Sequence, residues 1–143
     1  TVTGGTGITV DNTDSANPVV SASSTVLNGV HVITLEAGST IHGRRAVMAE
    51  LDLAHHPNLT VLADAPKILG ISTASASLGN PTTIQTSGPM TNSGWAWSAG
   101  PVFVDNGGIL TQTAPSTGWI VCVGKATASD TIDIQVLLPI LRS

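Results

Sequence analysis

Glu50 and Asp52 are a pair of acids whose spacing could support catalysis. They lie two positions apart, and side chains at positions i and i+2 of a β-strand share one face. Paired carboxyl groups about 5 to 9 Å apart hydrolyse glycosidic bonds. Here the pair ends a strand-like segment, and no aromatic cleft residue lies nearby in the sequence. We therefore interpret both carboxylates as solvated, and we predict no catalytic residue and no enzyme activity.

The two adjacent histidines of "HHPN", His55 and His56, could be metal ligands. Neighbouring side chains of an extended chain point to opposite sides, so the two rings are poorly placed to share one ion. His31 and His42 could join them only through tertiary contacts, and a trimer axis could gather one histidine from each chain. The pattern favours a polar turn, with no metal and no cofactor.

The stretch "GWAW" (94–97) indicates a third kind of chemistry, the stacking of an indole on a sugar ring. In a strand, Trp95 and Trp97 would lie side by side on one face. However, the chain has only three Trp, one Phe and no Tyr, and each buried Trp removes roughly 150–250 Å² from water. We interpret at least one of Trp95 and Trp97 as core and Trp119 as interior. An exposed stacking pair is the alternative.

Composition excludes several classes of partner. Charged residues make up 10% of the 143 residues and the net charge is −4. No basic cluster exceeds Arg44-Arg45, so we expect no nucleic-acid partner. The sequence contains no run of about 18 apolar residues, so we expect no membrane insertion.

The single cysteine, Cys122, excludes an internal disulfide. It lies in the apolar run "WIVCVG", where we interpret it as a small buried hydrophobe.

The elements that must position these residues are short apolar segments, with Gly, Pro or Asn at a break every 8 to 12 residues or so. This spacing predicts an all-β domain, either a compact antiparallel β-sandwich or a barrel-like fold. Residues 1–25 are expected to form an extended connector or shaft end, typical of the interior of a longer polypeptide, and 26–143 the β domain. Asn106-Gly107 predicts a type I′ hairpin. The predicted strands cover 44–51, 58–63, 67–73, 82–86, 94–98, 101–105, 108–112, 118–127 and 131–141.

A short internal echo links two of these segments. "LGISTAS" (69–75) and "VGKATAS" (123–129) share Gly, Thr, Ala and Ser at equivalent places, and each precedes a Thr-Ile strand. Gly70 and Gly124 could therefore mark bulges or close backbone approaches. Two related β units or chance similarity could explain the echo.

The order of motifs from "LGISTAS" through "GWAW", "GPVFV", "NGGILTQTAP" and "VGKATAS" to the last strand resembles a module of bacteriophage tail fibres. The resemblance covers most of the chain and is best defined over 69–140. It implies a virion protein of the tail, a fibre or receptor-binding region that is commonly a homotrimer. The implied partners are other copies of the chain, other tail or fibre proteins, and a bacterial surface receptor such as a glycan. It carries no catalytic residues.

On this interpretation, four polar loops are candidates for receptor contact: "HHPN" (55–58), "SLGNP" (77–81), "DNGG" (105–108) and "TASD" (127–130). A purely structural joint, cap or trimerisation module of the tail, or a capsid decoration protein, is the alternative function. A depolymerase spike would need a large β-helix and an acidic cleft, which the sequence does not indicate. The candidate contact residues are His55, His56, Asn58, Asn80, Asp105, Asn106 and Asp130.

Overall fold

The computed structural model of the chain describes residues 8–11, 19–22 and 29–143. These residues form strands joined by turns, with two short 3-10 segments at Ala65–Lys67 and Asn106–Gly108. Within these ranges no helix is long and apolar enough to cross a bilayer. The strands are β1 (Ile8–Asp11), β2 (Val19–Ala22), β3 (His31–Ala37), β4 (Ala46–Glu50), β5 (Leu53–His55), β6 (Ile68–Ser72), β7 (Pro81–Thr91), β8 (Gly100–Val104), β9 (Leu110–Thr111), β10 (Gly118–Ile120), β11 (Cys122–Ala128), β12 (Thr131–Gln135) and β13 (Ile140–Arg142).

The predicted all-β fold is confirmed, and its central feature is a closed ring of strands. The ring runs β3-β5-β4-β6-β7, and β7 pairs back onto β3 to complete it. The pairing of β3 with β5 is parallel, and the other pairings of the ring are antiparallel. Closure leaves these strands with fewer unpaired backbone groups than an open sheet would have.

The long strand β7 connects this ring to the rest of the sheet. Its first part, Pro81–Ser87, pairs with β3, and its last part, Ser87–Thr91, pairs with β12. From β12 the sheet continues through β11 and β8 to β9. One strand therefore holds the two halves of the fold in register.

The N-terminal pair β1 and β2 is antiparallel, with Ile8 opposite Ala22 and Asp11 opposite Val19. The predicted extended connector, residues 1–25, lies outside the described residues except for these two strands.

The core is built from aliphatic side chains, many of them β-branched. In β12, for example, Ile132 and Ile134 are buried while Asp133 between them is exposed, which is the period-2 alternation of a half-buried strand. The three tryptophans are partly buried and pack against the margin of the main cluster. The interior is therefore filled without aromatic bulk, and Trp119, which is expected in the interior, is partly buried against this cluster. The largest fully buried hydrophobic side chains are Ile41, Ile71, Ile84, Ile132, Ile134, Val47, Val102, Val104, Val121 and Val123.

Two predicted strands are turns. In the predicted strand 58–63, Asn58 Oδ1 accepts hydrogen bonds from the backbone N–H and hydroxyl of Thr60, at 3.1 and 2.7 Å. The Asn58 carbonyl also accepts from the N–H of Val61 at 2.9 Å. Such local bonds compete with a sheet ladder and favour a turn over an extended strand.

The predicted strand 94–98, which contains "GWAW", is also irregular. The N–H of Trp95 donates to the carbonyl of Asn92 at 3.0 Å, which closes a turn. The N–H of Trp97 donates to the carbonyl of Ser129 at 2.8 Å, in the turn between β11 and β12. The two indoles therefore do not follow strand geometry.

The hairpin predicted at Asn106-Gly107 forms between β8 and β9, but not with a type I′ turn. Positive φ angles occur at Gly107 (72°) and Gly108 (74°), whereas a type I′ turn would need one at Asn106 as well. Five residues, 105–109, connect the strands, and Asp105 Oδ1 accepts from the N–H of Asn106 at 2.7 Å. The longer loop places its residues beyond the end of the sheet.

Close backbone approaches at Gly70 and Gly124 are confirmed. A Cβ on Gly70 would overlap the carbonyl of Gln85, and one on Gly124 would overlap the carbonyl of Asp133. Both glycines thus lie against the backbone of the adjacent strand.

The long predicted segments 118–127 and 131–141 are each divided into two strands. The two parts of each segment differ in their partners. The strands β11 and β12 belong to the large sheet, whereas β10 and β13 form a separate two-stranded ribbon with Trp119 opposite Leu141. This ribbon sets the position of Trp119.

Candidate functional site

Two of the four candidate contact loops meet in the folded chain. The N–H of Gly107 donates to the carbonyl of Pro57 at 3.0 Å. The N–H of Leu59 donates to Asn106 Oδ1 at 2.8 Å, across a sequence separation of 47 residues. The HHPN and DNGG loops are therefore joined by hydrogen bonds into one surface, which we call the loop junction (residues 55–60 and 105–108).

Gly108 makes this close packing possible. A Cβ at this position would overlap the carbonyl oxygen of Ala46 and lie 2.9 Å from His56 Nδ1. The residue also has a φ of 74°, which disfavours any side chain. Glycine is needed here for both reasons.

His56 anchors the HHPN loop through both ring nitrogens. Nδ1 lies 2.8 Å from the Ala46 carbonyl, which can only accept, so this nitrogen carries the proton. Nε2 accepts from the backbone N–H of His42 at 2.9 Å. The imidazole is therefore neutral and fixed as one tautomer. Its ring stacks on that of His42, with centroids 5.7 Å apart and planes inclined by 14°.

The surroundings of His56 favour its neutral form. Burial lowers the pKa of the imidazole below its ordinary value, and the positive charges of His42 and Arg45 act in the same direction, against the opposing effect of the Ala46 hydrogen bond. With both nitrogens already bonded, His56 is a structural anchor of the loop junction.

A cavity of about 210 Å³ lies beside the loop junction, and we call it the junction cavity. Leu59 and Thr60, which follow the HHPN loop, form its wall together with the DNGG loop and the segment that leads into β10. The polar residues of the wall are Thr60, Asp105, Asn106 and Thr117, and Leu59 and Trp119 are among the apolar ones.

Asp105 and Asn106 of the junction cavity each have one polar atom that is held by a hydrogen bond and one that is available to a ligand. One oxygen of Asp105 is held by the N–H of Asn106, and the Asn106 Oδ1 by the N–H of Leu59. Within the described part of the chain, the second oxygen of Asp105 and the amide nitrogen of Asn106 have no hydrogen-bond partner. Asp105 therefore has an available acceptor and the adjacent Asn106 an available donor, and the rotamers of both side chains are restricted by their existing bonds.

Of the candidate contact residues, Asp105 and Asn106 line the junction cavity, and His56 and Asn58 belong to the loop junction. Leu59 and Thr60 are not among the candidates because the sequence predicts a strand there, and Thr117 is not because no motif includes it. Asn58 has a second role: its N–H donates to Asp64 Oδ2 at 2.9 Å.

The other candidate residues lie elsewhere. His55 lies against Gly38, whereas His56 bonds to Ala46 and His42, so the two neighbouring histidines have different partners. Asn80 is in the turn before β7, where its carbonyl accepts from the N–H of Ala37 at 2.8 Å. Asp130 is in the turn between β11 and β12, and its carboxylate accepts from the hydroxyl of Thr131 at 2.9 Å.

Asp130 and the junction cavity lie at opposite ends of β8. The first residue of β8, Gly100, pairs with Ala126 just before the TASD loop, whereas the DNGG loop follows the last residue, Val104. The candidate loops therefore do not form one continuous contact surface.

Trp95 and Trp97 are in contact but are not coplanar. Their ring centroids are 5.7 Å apart and their planes are inclined by 51°. Both rings are partly buried against the main core cluster, and Trp97 Nε1 is buried without a hydrogen-bond partner in the described part of the chain. This geometry differs from the flat pair of indoles that sugar stacking would use.

Glu50 and Asp52 are exposed, in agreement with their interpretation as solvated acids. Glu50 accepts a hydrogen bond from Lys67 Nζ at 2.7 Å, and this bond holds the pKa of the carboxyl below its ordinary value. A general acid of a glycosidase needs the opposite shift. Asp52 lies after the strand with a φ of 63°.

A second cavity, of about 270 Å³, opens on the β8-β11-β12 part of the sheet. Its wall includes Pro101, Cys122, Lys125 and Asp133. Cys122, which is interpreted from the sequence as a small buried hydrophobe, is partly buried there, and its thiol donates to the Gly124 carbonyl at 3.3 Å.

Comparison with known proteins adds no assignment: no protein-family model, no curated protein sequence and no solved structure matches this chain.

Proposed function

We propose that the chain is a domain of a bacteriophage tail fibre that helps to attach the virion to a saccharide of the bacterial surface. The proposal starts from the motif order that resembles tail-fibre modules. The observation that carries it is the loop junction, where two candidate contact loops are hydrogen-bonded beside a cavity. No catalytic role is included in the proposal.

The chemistry of the junction cavity suits a saccharide. A sugar ring offers several hydroxyl groups on its edge and apolar C–H groups on its faces. The wall offers a carboxylate, an amide and hydroxyl groups together with the indole of Trp119. Small-molecule sites commonly combine an apolar or aromatic wall with a few convergent polar groups of this kind.

Assembly into a homotrimer belongs to the same proposal. The C-terminal segment carries three strongly exposed apolar side chains, Leu138 (89% exposed), Ile140 (64%) and Leu141 (58%). Contiguous exposed apolar residues of this kind commonly mark an interaction surface. Their burial against neighbouring copies would stabilise a fibre.

The same segment favours the second candidate function, a structural joint or trimerisation module of the tail. In that case the exposed C-terminal residues would be the functional surface, and the junction cavity would have no ligand.

Binding of the purified, fluorescently labelled chain to a panel of bacterial strains tests the proposal. Thr117→Trp fills the cavity with an indole, and Thr34→Trp makes the same change at an exposed position of β3, outside the four candidate loops. We expect the wild-type chain and Thr34→Trp to bind a susceptible strain, and Thr117→Trp to lose binding. A chain that folds and trimerises but binds no strain would favour the structural function.

A further inference from the structure

We propose that the junction cavity accepts one uncharged sugar unit, at the end of a glycan chain, and excludes anionic sugars. This inference rests on the proposed function and adds the class of ligand to it. Charge, size and the fixed polar groups of the wall support it independently.

Charge is the first argument. Among the described residues that line the cavity, Asp105 is the one ionisable side chain. A second carboxylate, that of Asp64, lies close behind the HHPN loop and accepts from the N–H of Asn58. The basic group near Asp64 is Lys67, whose ammonium is already paired with Glu50 at 2.7 Å.

An anionic ligand in the cavity would therefore meet the Asp105 carboxylate, and none of the described lining residues carries a positive charge to offset it. Juxtaposed like charges oppose binding, and a carboxylate or phosphate that loses water on entry needs charged donors in return. Uronic acids, sialic acids and phosphorylated sugars are excluded on this ground. An uncharged sugar has no such cost, because its hydroxyl groups can donate to Asp105.

Size is the second argument. The volume of about 210 Å³ is below the range of roughly 300–1,000 Å³ that encloses drug-sized ligands. The cavity therefore suits one ring and not an extended oligosaccharide. A ring at the end of a glycan can enter it while the rest of the chain stays in solvent.

The fixed polar groups are the third argument. Asp105 and Asn106 are adjacent in sequence, and each is held through one oxygen by a backbone N–H, at 2.7 and 2.8 Å. Their remaining groups are an acceptor and a donor, the combination that two neighbouring hydroxyl groups of a sugar require. Because these side chains are ordered before binding, less conformational entropy is lost when the ligand enters.

The test is a glycan array probed with the intact 143-residue chain. The array should carry termini that are neutral hexoses, N-acetylhexosamines, uronic acids, sialic acids and phosphorylated sugars. We expect signals from uncharged termini only. Asp105→Asn keeps the size and one acceptor oxygen of the side chain but loses the charge-assisted bond, so binding should weaken by roughly tenfold.

Asp52→Asn is the matched control, because it makes the same change at an exposed aspartate outside the four candidate loops. Three outcomes would each overturn the inference. Asp105→Asn could bind as tightly as wild type, the strongest signal could come from an anionic terminus, or no terminus could be bound. The proposed function has a separate readout, the binding of the chain to cells. If Thr117→Trp abolishes that binding, the proposed function holds even if the array shows an anionic ligand. Circular dichroism and a melting curve of each variant establish that the fold is intact.

Discussion

His56 connects the protonation state of one side chain to the loop that forms the site. Its Nδ1–H is donated to Ala46 and its Nε2 accepts from the His42 N–H. Protonation of Nε2 would replace this acceptor with a second donor, facing a backbone N–H. The charged imidazole is therefore incompatible with the observed contacts.

We expect the folded chain to lose stability in mild acid through His56. Its pKa is lowered in the fold, so below about pH 6.5, the ordinary value, the unfolded chain binds a proton that the folded chain does not. The free energy of unfolding then falls as the pH decreases from about 6.5, and the fall from this residue ends below the folded pKa.

Urea unfolding of wild type, His56→Gln and His31→Gln between pH 4.5 and 8 measures this effect. His31 is exposed, so its variant is the control. His56→Gln should have a smaller acid-dependent loss than wild type, and His31→Gln the same loss. An unchanged pH profile in His56→Gln would show that another group is responsible.

Gly107 and Gly108 provide a second test at the level of single residues. Both have φ angles above 70°, but a Cβ on Gly107 meets no atom within 4 Å, whereas one on Gly108 overlaps the Ala46 carbonyl. We expect Gly107→Ala to cost ~1 kcal/mol from backbone conformation and Gly108→Ala roughly 3 kcal/mol, because steric overlap is added. Urea denaturation of the two variants gives the comparison, and equal losses would contradict the close packing at the loop junction.

At the scale of elements, the loop between β7 and β8 stabilises the fold through its tryptophans. Trp95 and Trp97 lie outside any strand, yet both rings pack against the core cluster. The "GWAW" stretch therefore packs against the core with both rings half-buried, although the predicted strand is wrong.

We expect Trp95→Ala and Trp97→Ala each to lower the free energy of unfolding by roughly 2 kcal/mol, less than the loss for a fully buried Trp because the rings are partly exposed. The melting temperature should fall by about 5 °C. Differential scanning calorimetry measures this change, and Leu78→Ala, at a strongly exposed side chain, is the control. Unchanged melting with lost glycan binding would instead assign the indoles to a ligand.

At the scale of the whole molecule, the exposed C-terminal segment determines the expected assembly. Leu138, Ile140 and Leu141 are exposed while β13 is held against β10, so an oligomer could bury them without rearranging the strands. Such burial would also protect the edges of the short ribbon.

We expect wild type to sediment as a trimer and the triple variant Leu138→Ser, Ile140→Ser, Leu141→Ser as a monomer, since the apolar surface would be lost. Leu62→Ser with Leu78→Ser removes exposed leucines elsewhere and should leave the trimer intact. Analytical ultracentrifugation distinguishes the two species. A monomeric wild type at micromolar concentration would contradict the fibre assembly.

Several features of the protein could be predicted from the sequence because they depend on local patterns. Alternation of apolar and polar residues, as in β12, predicts strands, since successive side chains face opposite sides. Gly70 and Gly124 lie within predicted strands, where a glycine indicates a close backbone contact, and such contacts are present at both positions. The all-β class and the presence of a hairpin after β8 followed from the same local signals.

Other features were decided only by tertiary structure. The return of β7 to β3 closes the ring, and the contact of Leu59 with Asn106 joins loops 47 residues apart. No local pattern encodes such pairings, because they depend on the register and curvature of the whole sheet. The sequence therefore identified Asp105 and Asn106 as polar loop residues, whereas the fold placed them beside Thr117 and Trp119 and formed the cavity, since a cavity is a property of surfaces that meet.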